Sequence, residues 1–274
     1  MKVLLTGYGY ISLIFLLVQT SSIVAIYAQE NRYIELTCRE AIEIIQLHID
    51  DPNFVIVDLR PEKMYNDEHI QGAIFFDVFS DQFNSWANSL DKNKTYLLYC
   101  TIGHRSKIGF EKMKSMGFKY LYHMYEGIKA WTSQGYKTVK INSELPLVEE
   151  TINAVIGWAI NKDFNLFFST ISADSNFISV TPYNRVKFGV QAVRNDTAFW
   201  ASPDFKAIRH DLHDLKINFS SSGDVAWFYC ILNDINTWKG EPANWENVRW
   251  TGVLEKRNGK WRVVQQHFSW PKEK

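Results

Sequence analysis

Between residues 33 and 140 the apolar positions alternate between two periods. Thr37 stands three residues before Glu40, and Ala41, Ile44, Ile45 and His48 follow at helical spacing, which predicts a capped helix. Phe54 to Val57 is a β-branched run closed by Asp58, and Thr95 to Tyr99 is another closed by Cys100. Continuous apolar runs of this length suit strands buried on both faces. Ser106 to Met116 then reads as a helix stopped by Gly117, Tyr120 to Met124 as a strand, and Ile128 to Gln134 as a helix stopped by Gly135. Such alternation implies an α/β domain over 33–140, a parallel sheet with helices on both faces.

Beyond this point the period changes. Residues 141–146, ending at Pro146, read as a linker, and 147–271 read as an α+β domain. Val148, Ile152, Val155, Ile156 and Ala159 mark a long amphipathic helix, and Phe164 to Ile171 a short one. Strand-like stretches follow at 177–181, 208–219, 225–234, 247–256 and 261–268, with Asn258-Gly259 as a hairpin turn between the last two. Simple alternation along the final strand puts Trp261, Val263, Gln265 and His267 on one face and Arg262, Val264, Gln266 and Phe268 on the other.

The first 28 residues form a separate pattern. Lys2, an apolar core densest over 11–18, and Ala28 before Gln29-Glu30 have the order of a cleaved signal peptide spanning 1–28. That predicts a secreted or periplasmic protein; the alternative is an uncleaved membrane anchor over 3–28. In either case the folded part lies outside the cytoplasm.

Composition narrows the function classes. With 46% hydrophobic and 22% charged residues the chain is globular, and 30 Lys+Arg against 30 Asp+Glu give no electrostatic reason to expect a nucleic-acid partner. Three cysteines, Cys38, Cys100 and Cys230, are too few for a disulfide framework or a four-ligand zinc site. His210 and His213 have metal-ligand spacing but fall on opposite faces of a strand, so neither a metal nor a cofactor is expected. Only Trp86 and Trp131 of the ten tryptophans precede residue 140, so the two halves follow different plans.

The segment Cys100-Thr-Ile-Gly-His-Arg-Ser106 joins a buried-type strand to a helix. At such a junction the loop amides and the helix N-terminus form a cradle for an anion. The same field, with Arg105 beside it, favours a thiolate at Cys100 and makes it a candidate nucleophile. Gly103 lets the backbone curl tightly. Cys38, opening a helix, and Cys230, within a strand, read as packing residues.

The loop motif Cys-x-x-Gly-x-Arg (Cys100, Gly103, Arg105), Val57-Asp-Leu-Arg-Pro61, Glu68-His-Ile-Gln-Gly-Ala73 and Tyr125-Glu-Gly-Ile-Lys-Ala-Trp131 together resemble the rhodanese family of sulfurtransferases. Glu126 replaces a usual Gly and Gln71 a usual Pro. The resemblance implies transfer of a sulfane sulfur through a Cys100 persulfide, from thiosulfate or a similar small donor to a thiol or cyanide. Thr101, Ile102, Gly103, His104 and Arg105 would hold the donor, and Asp58 and Arg60 would brace the loop. Phosphatases that resemble this domain carry a loop one residue longer; the four residues between Cys100 and Arg105 suit sulfur chemistry.

The long first helix, Ser222-Gly-Asp-Val-Ala-Trp227 and the hairpin ending Gly259 to Ser269 make residues 147–271 similar to the nuclear transport factor 2-like superfamily, in its SnoaL-like branch. That resemblance implies a cone-shaped pocket for a small organic ligand, or a homodimer interface. His267, Gln265 and Trp227 are the candidate pocket residues. The alternative function is a ligand-binding or isomerase/cyclase-like protein in which the rhodanese-like part is a non-catalytic scaffold.

Overall fold

A computed structural model describes residues 32–183 and 185–271; the expected signal segment, 1–28, lies outside them. The chain divides into two compact units, Met1–Arg60 with Phe75–Gly135 and Pro61–Ile74 with Tyr136–Lys274.

Up to residue 139 the elements are β1 (Arg32–Leu36), α1 (Cys38–Leu47), β2 (Phe54–Asp58), α2 (Glu62–Asp67), β3 (His69–Ile70), β4 (Ile74–Phe75), α3 (Phe83–Ser89), β5 (Thr95–Tyr99), α4 (His104–Ser115), β6 (Tyr120–Met124), α5 (Gly127–Ser133) and β7 (Thr138–Val139). One sheet runs β1-β6-β5-β2-β4, and the pairs β1/β6, β6/β5 and β5/β2 are parallel. Leu97, Leu98 and Tyr99 on β5 and Val57 on β2 are fully buried, as their unbroken apolar runs require. The expected capping box opens α1: Thr37 Oγ1 accepts from the Glu40 amide at 3.2 Å, and Glu40 Oε2 accepts from the Thr37 amide at 2.8 Å.

The segment 61–74 clusters with the second unit. There β3 pairs antiparallel with β7, the Gly72 amide donates to Ser221 O at 3.0 Å, and Asn142 Nδ2 donates to Asp67 Oδ1 at 2.6 Å. The span 33–140 is therefore not one contiguous cluster.

The second unit continues with α6 (Ile141–Asn161), α7 (Phe164–Thr170), β8 (Ile178–Thr181), β9 (Arg185–Phe188), α8 (Gly189–Arg194), α9 (Thr197–Ala201), β10 (Phe205–Phe219), β11 (Val225–Trp238), β12 (Glu241–Pro242), β13 (Trp245–Arg257) and β14 (Lys260–Ser269). Its sheet runs β10-β11-β13-β14-β8-β9 with β12 on β11, antiparallel except for β14/β8. Asn258 and Gly259 both have positive φ, the condition for a tight right-twisted hairpin.

Residues 141–146, read from sequence as a linker, are the opening turns of α6. Glu144 accepts from Lys256 Nζ at 2.6 Å and from Trp261 Nε1 at 2.8 Å, so partners more than a hundred residues away hold this polar stretch in the helix. Pro146 forfeits a single ladder bond there.

Candidate functional site

Cys100 follows the last residue of β5, and Gly103, with φ of 87°, is the N-cap of α4. A Cβ at Gly103 would collide with the Tyr125 carbonyl, and one at Gly127 with the carbonyl of Thr101. Both positions therefore require glycine for packing and for their positive φ. The opening amides of α5 face the same loop: Ile128 N donates to Cys100 O at 2.8 Å and Lys129 N to Thr101 O at 3.1 Å. These bonds turn loop carbonyls away, while among the described residues no acceptor engages the amides of Thr101, Ile102 or Gly103. Unpaired amides next to a helix N-terminus are suited to an anion.

The residues picked out from the sequence take different places around this loop. Cys100 is 1% exposed, Ile102 is 64% exposed, His104 is exposed, and the Thr101 hydroxyl is buried without a partner among the described residues. The Arg105 guanidinium carbon lies 5.8 Å from the ring centre of Phe79, at the rim. Asp58 and Arg60 form a buried bidentate pair, with Nη2 to Oδ2 at 2.7 Å and Nε to Oδ1 at 2.9 Å. Arg60 also lies 5.9 Å from the ring centre of Tyr99, the residue before Cys100. The pair is buried beside that strand end.

Glu126, the departure at a usual glycine, has its own use. Its Oε2 accepts from the Cys38 amide at 2.6 Å, supplying an acceptor to the first turn of α1. Burial, then the Glu126 carboxylate, pushes the Cys38 thiol up to about 12; burial alone pushes Cys230 up to about 12. Both thiols are buried, an environment that disfavours the thiolate. Among the described residues no cluster could hold a metal ion.

Beside the Cys100 sulfur lies a polar chain that no sequence motif marks. Ser106 Oγ is 3.4 Å from Cys100 Sγ, 3.0 Å from Gly103 O and 3.0 Å from His123 Nε2. His123 Nδ1 is 3.4 Å from Glu35 Oε1, which pairs with Lys107 at 2.7 Å. The available signal was a histidine inside the otherwise apolar run Tyr120 to Met124, where a polar ring must find partners. Burial holds the His123 pKa below the ordinary histidine value, against the opposing pull of Glu35 and the Gly103 carbonyl.

In the second unit, a cavity of about 490 Å³ lies between the sheet and its helices. Gln266 and Phe268 line it; Gln265, His267 and Trp227 do not. For Gln265 and His267 the reason is a β-bulge: Leu254 pairs with Val263 but Val253 pairs with Gln265, so Val264 is an extra residue that reverses the alternation beyond it; Trp227 lies on the outward face of β11, between buried Ala226 and Phe228. His267 and Trp227 are exposed.

The rhodanese-like domain family matches residues 42–134, and the SnoaL-like domain family matches 148–273. The chain thus joins a rhodanese-like parallel-sheet domain to a SnoaL-like domain of the nuclear transport factor 2 type. Over 84 residues it is 37% identical to the tRNA uridine(34) hydroxylase of Yersinia pestis (strain Pestoides F), covering 29% of this chain and 24% of that protein. The tRNA uridine(34) hydroxylase of Pectobacterium atrosepticum is 35% identical over 89 residues, or 31% of this chain and 25% of its own length. The chain spans about a quarter of the length of these curated relatives. Among solved structures, a putative dehydratase of the NTF2-like family from Streptomyces avermitilis is similar at 20% identity and a TM-score of 0.42, over 48% of this chain and 99% of that one. An NTF2-like protein of unknown function from Prochlorococcus sp. NATL2A gives 17% identity and a TM-score of 0.39, over 47% and 94%.

Proposed function

We propose that the protein is an exported sulfurtransferase that carries a sulfane sulfur on Cys100. The Cys100 thiolate attacks the outer sulfur of thiosulfate or a similar small donor. The donor S–S bond breaks and sulfite leaves with its electron pair. An acceptor thiolate or cyanide then attacks the terminal sulfur of the persulfide, and Cys100 leaves again as a thiolate. Loop amides and the start of α4 stabilise the negative charge at each stage, and Arg105 draws the anionic donor to the rim.

The observation that carries this reading is the Cys100 sulfur set at the base of a loop whose amides at Thr101 to Gly103 have no acceptor among the described residues. The test is intact mass after thiosulfate treatment. Wild type gains one sulfur atom, Cys100→Ser gains none, and Cys38→Ala and Cys230→Ala behave as wild type. Equal gain in Cys100→Ser overturns the proposal. Residues 1–28 would be removed on export, so N-terminal sequencing of the exported protein is expected to begin just after Ala28.

The curated relatives share about a quarter of their length with this chain, so their tRNA substrate does not enter the proposal. A second reading, favoured by the cavity of about 490 Å³, assigns the SnoaL-like domain to binding a small organic molecule.

A further inference from the structure

The cavity of the SnoaL-like unit contains a carboxyl group that has no ionic partner among the described residues. Its charged lining residues are Arg185, Lys187, Asp196 and Asp234. Lys187 is paired with Asp196 and lies 5.6 Å from the ring centre of Trp200, while Arg185 is exposed on β9. Asp234 stands apart from these. It lies on β11, on the inward face shared with Leu232 and Asn236, and among the described residues it forms no ion pair. The Asn236 side-chain amide donates to the Asp234 main-chain carbonyl at 3.3 Å.

The surroundings of Asp234 are aromatic. Its cross-strand partner on β13 is Trp245, and Trp158, Phe167, Trp200, Trp238 and Phe268 are among the residues that line the same cavity. On β10 its register partner is His210, which burial keeps toward the neutral form, so the facing strand supplies no cation to the carboxylate. Burial likewise raises the Asp234 pKa. A desolvated carboxylate facing open volume is costly until a cation reaches it, and the faces of tryptophan rings attract cations as well. An anionic ligand would place like charge beside Asp234, and a purely apolar one would leave the carboxyl unpaired.

We propose that this cavity binds a ring-bearing organic amine, its ammonium group paired with Asp234 and its ring against the tryptophans. The inference rests on the reading of the cavity as a ligand site and adds the chemical class of the ligand. The volume falls within the range of small-molecule sites.

Calorimetric titration of the full chain with three matched probes tests it: 2-(1-naphthyl)ethylamine, 2-(1-naphthyl)ethanol and 1-naphthaleneacetate. The amine is expected to bind about tenfold or more tighter than the other two. Asp234→Asn is expected to lower amine affinity about tenfold while leaving the alcohol within about twofold. If the alcohol or carboxylate binds wild type as tightly as the amine, the amine assignment is overturned and the ligand-site reading stands. The same holds if a folded Asp234→Asn protein keeps its amine affinity. If none of the three binds wild type, the ligand-site reading fails too. The preference among probes in wild type decides the matter even if the variant does not fold.

Discussion

Ser106 has one hydroxyl proton and three groups within reach of it: the Cys100 sulfur, the Gly103 carbonyl and the His123 ring. His123 in turn meets the Gly103 carbonyl with Nε2 and the Glu35 carboxylate with Nδ1. Only the imidazolium satisfies both acceptors, yet burial favours the neutral ring. If Nε2 keeps the proton, it donates toward Gly103 O and Ser106 Oγ, freeing the serine proton for the sulfur. A hydrogen bond to a charged group contributes roughly 1.5–3 kcal/mol, so Ser106→Ala is expected to slow sulfur transfer about tenfold or more. Single-turnover kinetics with thiosulfate check this, and donor affinity is expected to stay near wild type. Because the His123 pKa is lowered on folding, the unfolded chain binds its proton first as pH falls. Its contribution to stability is complete above the ordinary histidine value of 6.5 and is lost as pH drops from there toward the folded pKa. Denaturant titrations between about pH 7 and pH 5 should show that loss in wild type and a flatter profile in His123→Gln.

At the scale of elements, β14 shows how one residue reassigns a face. The bulge at Val264 sends Gln266 and Phe268 inward and leaves Gln265 and His267 outward. Phe268 stacks on Trp250 at 5.3 Å between ring centres and packs in the unit's core. Removing such a ring from a packed core costs about 3–5 kcal/mol, whereas exposed polar changes stay within about 0.5 kcal/mol. Urea midpoints should therefore fall sharply for Phe268→Ala and barely move for His267→Ala or Gln265→Ala. The reverse ranking would restore the simple alternation. The loop on the other unit has a comparable dependence: Gly103 admits no side chain because the Tyr125 backbone lies against it, nor does Gly127 because the Thr101 backbone does.

For the whole molecule, the tryptophan skew separates the two units experimentally. Trp86 and Trp131 belong to the first unit and the other eight to the second. Asp58→Ala leaves the Arg60 charge buried without its carboxylate, a change that costs about 3–5 kcal/mol. Far-UV circular dichroism is expected to show an early partial unfolding step in this variant, while tryptophan fluorescence follows a later one. Coincident transitions by both probes would mean that the units unfold together.

The chain by itself determined the main strands and helices of both halves, the place of Cys100 between a buried strand and a helix, and the loop with its Gly103 and Arg105. Those features are local: apolar period, caps and turns act over a few residues. Tertiary structure alone decided that residues 141–146 are helical, that Ser106, His123 and Glu35 form a chain behind the sulfur, and that Asp234, Gln266 and Phe268 face the cavity. Each depends on a partner distant in sequence or on one bulged residue. Periodicity carries no information about either, because a single inserted residue exchanges the two faces of a strand.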